Sequence, residues 1–298
     1  MTKNTGLKHK CGTLLDRDNV AGYVFILPFI IGLVVFTAIP FFTSLYLAFT
    51  KYNVLSDPKW VGLANFKEMF FEDELFWTSF KVTFKFALIQ VPVKLTVALL
   101  VAMVLARAAF YIPSLMGGSV AIALLWKQLF SPKGVINQIL GFFGLPDDTA
   151  WLGNPKTALG TLIALGVWQF GSSMLIFLAA IKNIPSSYYE AAIVDGAGPV
   201  RRFFSITLPL LTPIIFFNLI NQVIGAFQAF NSSYLITKGK PLNTTLYYGV
   251  HLYNKAFNQF EMGYGSAMAW FMLLIIAFFT ALIFRSSSAW VYYESEGR

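Results

Sequence analysis

The sequence predicts an all-α membrane protein of six transmembrane helices with both termini on the cytoplasmic side. Three observations carry this. The 298-residue chain is 57% hydrophobic and only 12% charged, with a mean hydropathy of +0.64; a soluble domain is nearer a quarter charged. The apolar residues gather into runs long enough to cross a bilayer. An even number of crossings also puts all six arginines (Arg17, Arg107, Arg201, Arg202, Arg285, Arg298) on one side. Arginine close to span ends marks the cytoplasmic face, whereas lysine is ambiguous here because the opposite loops are longer and carry many.

Residues 1–21 form a polar, basic cytoplasmic segment. The membrane domain covers 22–284, and 285–298 form a cytoplasmic tail. Gly22–Ala48 is 27 residues without a charge, enough for a first span with some tilt. Pro28 and Pro40 are expected to kink it rather than end it. It is too long for a signal-peptide core and no small-residue cleavage site precedes it, so it is kept. A mixed-charge stretch, Lys51–Lys81, holds Trp60, Phe70 and Trp77, which suit an interface. Val82–Ala106 is the second span and Phe110–Trp126 a shorter third. Only Arg107-Ala108-Ala109 separates them, so Pro113 or Gly117-Gly118 must take up the bend. Lys127–Lys156 is a loop, Leu159–Ile181 the fourth span, and 182–205 a charged loop. Phe203–Phe230 contains the fifth span, Asn231–Tyr264 is polar, and Gly265–Phe284 is the sixth span.

Composition also excludes. No soluble stretch is long enough to bury its own core, so the chain is one membrane domain. The net charge of +8 reflects topology and lipid contact rather than nucleic acid. Cys11 is the only cysteine, which rules out a disulfide within the chain and a thiolate metal site. The phosphate-loop pattern G-x-x-x-x-G-K-[ST] is absent; Gly239-Lys240-Pro241 lacks both its first glycine and its hydroxyl. H-E-x-x-H and G-x-S-x-G are absent too, and His9 and His251 are far apart. No catalytic constellation or metal site is expected.

The charged loop holds the densest pattern. Ser187 with Glu190 three residues later reads as a capping box opening a short helix. Gly196 is a natural residue just past its end. Gly198-Pro199 restarts a helix, with Pro199 at its first position. By itself this describes a helix lying on the membrane surface, with Glu190 only capping it. The match extends further, however. Glu190-Ala191-Ala192, Gly196 six residues after the glutamate, then Ile206, Leu208 and Pro209, resembles the permease signature of ATP-binding-cassette importers. Asp195-Gly196-Ala197 resembles its sugar-uptake branch, as do Pro28, Pro40 and Trp60-Val61-Gly62-Leu63-Ala64-Asn65-Phe66.

The resemblance covers nearly the whole chain. It implies the type I importer permease fold in a prokaryotic inner membrane. The short helix would be a coupling helix seated in a cytosolic ATPase, with Glu190 meeting that ATPase's nucleotide-sensing loop. It implies a second homologous permease subunit, two ATPase subunits that bind ATP and Mg, an extracytoplasmic solute-binding protein and a saccharide substrate, with no cofactor in this chain. Related permeases have a longer basic loop between the second and third spans, so either this chain is trimmed there or a loop is missing from it.

In the fifth span Asn218, Asn221, Gln222, Gly225 and Gln228 fall near one helical face. Two readings fit: amides that glue helices together, or a hydrophilic wall of a path suited to sugar hydroxyls. Trp168, Gln169, Ser172 and Ser173 in the fourth span, and Tyr264 and Trp270 near the sixth, complete such a path. Lys94 stands about 12 residues into the second span, roughly 18 Å along it. That is too deep to reach the interface, so it should face the bundle or a cavity. No acid lies in the six spans. Its partner is a carbonyl, an amide such as Gln90, the other subunit or an anionic substrate. Lys85, near the span's end, snorkels. The rival functions are a secondary transporter, which would want inverted repeats and midplane ionisable groups, a permease for another solute such as glycerol phosphate, and a membrane enzyme.

Overall fold

The computed structural model of the chain describes residues 18–105 and 120–292. The junction Arg107-Ala108-Ala109, the start of the predicted third span with Pro113 and Gly117-Gly118, His9, Cys11, Arg17 and Arg298 lie outside them. Among the described residues five helical stretches are long and apolar enough to cross a bilayer: Phe25–Ala48, Glu74–Leu105, Ala158–Lys182, Pro199–Phe227 and Met262–Trp290. A shorter apolar helix, α5 (Val120–Leu129), falls where the third span was expected.

The first stretch is α1 (Asp18–Leu33), one wide π turn (Val34–Ala38) and α2 (Ile39–Ala48). Pro28 sits inside α1 without interrupting it. Pro40 is handled differently. The amide of Ile39 reaches back five residues to the carbonyl of Val34. Proline donates no N–H and crowds the carbonyl four residues earlier, and a widened turn makes room for it. The same device recurs before Pro209: residues Phe203–Thr207 form a π turn and the amide of Leu208 bonds to Phe203. It leads from α10 (Pro199–Arg202) into α11 (Leu208–Phe227).

After α2 the chain makes a two-stranded antiparallel ribbon, β1 (Thr50–Lys51) with β2 (Lys59–Trp60), then α3 (Ala64–Phe71). Buried Asn65 pins the three together by donating to the carbonyls of Ala48 and Thr50 at 2.8 and 2.9 Å. Helix α4 (Glu74–Leu105) begins eight residues before the expected span, so the end of the mixed-charge stretch is helical. In the loop after α5, α6 (Val135–Phe142) is knitted in by Asn137. Its amide donates to Pro132 and Thr149, and its oxygen accepts from Trp151 Nε1 at 2.7 Å.

The expected fourth span is two helices, α7 (Ala158–Trp168) and α8 (Gly171–Lys182), parted at Gln169 and Phe170. Gly166 and Gly171 bracket the break, and glycine holds a helix less well than other residues. Helix α9 (Ser186–Val194) occupies the charged loop. Beyond α11, α12 (Tyr248–Tyr253) packs on α4, where Thr83 Oγ1 accepts the amide of Tyr248 at 2.7 Å. Finally α13 (Met262–Trp290) runs six residues past the expected end, so the tail begins as helix. Its first turn crosses the ribbon closely: a Cβ on Gly263 would lie 2.0 Å from the carbonyl oxygen of Thr50.

One carboxylate joins these pieces. Asp73 Oδ1 accepts the amides of Leu75 and Phe76 at 2.9 and 3.2 Å, capping α4. Its Oδ2 accepts Tyr264 Oη of α13 at 2.6 Å and meets His251 Nε2 of α12 at 2.7 Å. Burial favours the neutral acid, but the hydrogen bonds from Tyr264 and His251 prevail and hold Asp73 below its ordinary value. Burial also lowers His251 despite its carboxylate partner, so a neutral imidazole donates to an ionised Asp73. Beside them Lys255 Nζ lies 3.0 Å from Glu261 and 4.8 Å from the Tyr264 ring centre.

Replacing Asp73 by Ala orphans a phenol, an imidazole and the Leu75 amide, while the Phe76 amide keeps its bond to the carbonyl of residue 73, and should cost roughly 3–5 kcal/mol, read as a fall in melting temperature in detergent. His251 has a folded pKa below its unfolded 6.5, so its contribution is complete above that pH and is lost as the pH falls below it. Asp73 adds a further loss below 3.8. His251→Gln should flatten the first part of the acid-side decline and keep the second.

Candidate functional site

A cavity of about 310 Å³ opens where α4, α5, α7 and α11 meet, at the small end of ligand sites (about 300–1,000 Å³). Helix α4 contributes Phe86, Gln90 and Lys94; α11 contributes Gln222 and Gly225, and Gln228 caps its end. Gln169 enters from the break between α7 and α8, and Asn231 and Ser232 follow α11. Glycine at 166 admits Gln90: a Cβ there would come 3.0 Å from Gln90 Cγ.

The polar groups of this wall are incompletely paired. Gln222 Nε2 donates to buried Ser173 Oγ at 2.9 Å, joining α11 to α8. Gln90 Oε1 is buried and, among the described residues, has no hydrogen-bond partner. Lys94, whose side chain snorkelling cannot rescue, is 9% exposed. The Gln90 amide that one reading offered it as a partner does not bond to it.

Of the residues expected along a path, the structure brings Lys94, Gln169, Gln222 and Gln228 together here. The others lie elsewhere. Asn218 is buried and donates to Ile214 within its own helix at 3.1 Å; Asn221 is exposed and does the same to Phe217 at 2.8 Å. Trp168 is tilted against Trp126 at 6.0 Å, and Ser172 is exposed beside buried Ser173. Tyr264 belongs to the Asp73 cluster. Trp270 donates to Ser44 Oγ at 3.1 Å and lies on Phe41, fastening α13 to α2. Periodicity missed Asn231 and Ser232 because they follow the apolar run, although they continue the Gln228 side of α11 by about one turn.

The second feature is the loop at α9. Its C-terminal end is a Schellman motif: Gly196 has φ +75, its amide bonds to Ile193, and the Ala197 amide bonds to Ala192 at 2.8 Å. Pro199 follows at the first position of α10, after extended Gly198. The start differs from expectation. Pro185 is the N-cap and no side chain caps the helix, so Ser187 falls inside the first turn and the capping box does not form. Glu190 is left exposed, as are Ala191, Asp195 and Gly196, with Ala192 half-buried. Apolar Val194 and Val200 are also exposed, at 87% and 69%. Ile206, Leu208 and Pro209 are half-buried at the entry to α11. Tyr189 Oη and Thr207 Oγ1 share a hydrogen bond of 2.9 Å, linking α9 to the π turn before Pro209.

Residues 83–291 match the family described as "Binding-protein-dependent transport system inner membrane component". The chain is 54% identical to the "Probable ABC transporter permease protein YesP" of Bacillus subtilis, over 99% of both chains. That alignment spans 307 positions against the 298 residues here, so at least 9 positions of the relative have no counterpart in this chain. It is 31% identical to the arabinooligosaccharides transport system permease protein AraP of Halalkalibacterium halodurans, over 89% of this chain and 86% of that one. Among solved structures, a bacterial alginate ABC transporter in complex with an alginate pentasaccharide-bound periplasmic protein contains a chain with the same fold. The TM-score is 0.76 at 23% identity, covering 92% of this chain and 95% of that one.

Gly196→Val puts a β-branched side chain at positive φ, a cost on the order of 1–2 kcal/mol. Hydrogen exchange at the amides of residues 196 and 197 should quicken about tenfold, with exchange in α4 and α13 unchanged.

Proposed function

Since this chain belongs to the family of binding-protein-dependent transport system inner membrane components, we propose that it is one membrane-spanning subunit of an ATP-driven importer of saccharides, oligosaccharides in particular. The observation that carries this is α9: a short helix closed at its C-terminal end by Gly196, which leaves Glu190 and Val194 exposed beside the exposed Val200 of α10 and is tied by Tyr189 to the turn before Pro209. The exposed apolar pair Val194 and Val200 beside a carboxylate suits a partner surface. Two cytosolic ATPases supply the energy and bind ATP and Mg. When they close, α9 moves as a rod and displaces α10 and α11. The cavity at Lys94 and Gln222 then faces alternate sides of the membrane.

The rest of the assembly follows the same logic. The chain crosses the inner membrane six times with both ends in the cytoplasm, α9 lies on the cytoplasmic side, and the loops holding α6 and α12 receive a solute-binding protein. From α1 through the π turn into the first half of α2 most apolar side chains are exposed, with Phe25 and Phe36 each at 81%; lipid and a second, homologous permease subunit cover them. Amides suit sugar hydroxyls, and relatives named for arabinooligosaccharide transport support the substrate class.

Glu190→Lys should lower the recovery of ATPase subunits co-purified with the chain by about tenfold or more, equivalent to 1.4 kcal/mol at the interface, and abolish saccharide uptake into membrane vesicles. The variant's melting temperature should stay within a degree or two, since Glu190 is exposed. Uptake that survives this change and needs no ATPase would overturn the proposal.

A further inference from the structure

We propose that Lys94 is a specificity-determining residue that receives the carboxylate of an acidic saccharide in the cavity between α4 and α11, an inference resting on the saccharide-importer reading above. Lys94 is nine-tenths buried and lines that cavity. Among the described residues it makes no hydrogen bond or ion pair, and no Asp or Glu lines the cavity. An ammonium group this deep in a bundle is costly unless something offsets its charge. One turn earlier on the same helix, Gln90 Oε1 is buried with nothing to accept from. The two unmet needs sit side by side: a cation without an anion and an acceptor without a donor. A sugar ring bearing a carboxylate and a hydroxyl meets both. Gln169 and Gln228 add amides around it, and Gln222, whose amide donor is held by Ser173, offers its oxygen to a second hydroxyl.

The charge count narrows the class. Among the described residues Lys94 is the only basic one in the lining. A single ammonium balances one carboxylate. A phosphate monoester carries about −1.5 to −2 at neutral pH and favours the bidentate fork of arginine, which the lining lacks. The site therefore favours a uronate over a sugar phosphate or glycerol phosphate. Lys94 holds the charge in place and Gln90 sets the register of the ring beside it.

The test is equilibrium binding of radiolabelled disaccharides to the fully assembled importer in nanodiscs, without its solute-binding protein. The panel is a set of uronic-acid disaccharides, the carboxyl-reduced neutral form of each, and glycerol phosphate. Wild-type protein should bind at least one uronate tenfold or more tighter than its reduced form. K94M should erase that preference by weakening uronate binding about tenfold or more, K94R should keep most of it, and Gln90→Leu should weaken acidic and neutral forms alike. Recovery of the assembled complex reports folding; if K94M does not assemble, K94Q replaces it with the same expectation. A preference that persists in K94M or K94Q overturns the assignment. So does wild-type protein that binds neutral saccharides equally well, which leaves the importer reading standing. Preferred binding of glycerol phosphate overturns the carboxylate assignment, and binding of none of these solutes overturns both readings.

Discussion

The buried carboxylate of Asp73 holds the architecture together. It ends the ribbon-and-α3 region, caps α4, and accepts from α12 and α13, elements that lie 178 and 191 residues further along the chain. A charge so buried is stable only because donors surround it. With His251 neutral, every contact to Asp73 runs from donor to acceptor, and no second charge needs compensation. The two longest helices of the fold, α4 and α13, are thus fixed relative to each other at one end. Asn65 and the close approach of Gly263 to Thr50 add α2 and the ribbon to the same corner. Motion elsewhere in the bundle is then measured against this end.

Proline sets the other mechanical property. Pro40 and Pro209 each follow a π turn, and in both places the helix axis continues through a wider, looser turn. The second lies between α9 and α11 and is tied to α9 by Tyr189 and Thr207. Helix α9 is therefore joined to a long helix through a widened turn rather than through a continuous α-helical ladder. The proline at the end of the signature has a physical reason of its own: it keeps an ordinary α-helical ladder from closing at that turn.

The cavity depends on irregularity of a different kind. A continuous fourth helix would leave Gln169 on a helix face. The break between α7 and α8, bracketed by Gly166 and Gly171, brings that amide into the wall beside Gln90 and Lys94. Backbone departs from helix at this depth only where it lines a cavity or is buried in protein. The break and the unpaired polar groups are therefore two consequences of one arrangement.

Much of the protein was determined by its sequence alone. The apolar runs placed three of the five described spans to within about four residues at each end, because lipid demands about 20 apolar residues whatever the neighbours are. The C-terminal end of α9 and the start of α10 followed from Gly196 and Pro199, whose backbone preferences are local. Lys94 had to face protein or a cavity, since burying a charge in lipid is prohibitive. Tertiary structure decided what depends on distant partners. Asn218 and Asn221 share the periodicity of Gln222 yet bond to their own helix, and Tyr264 and Trp270 serve packing at Asp73 and Ser44. Periodicity reports which face a residue occupies but not what lies opposite, and only the packed bundle supplies that.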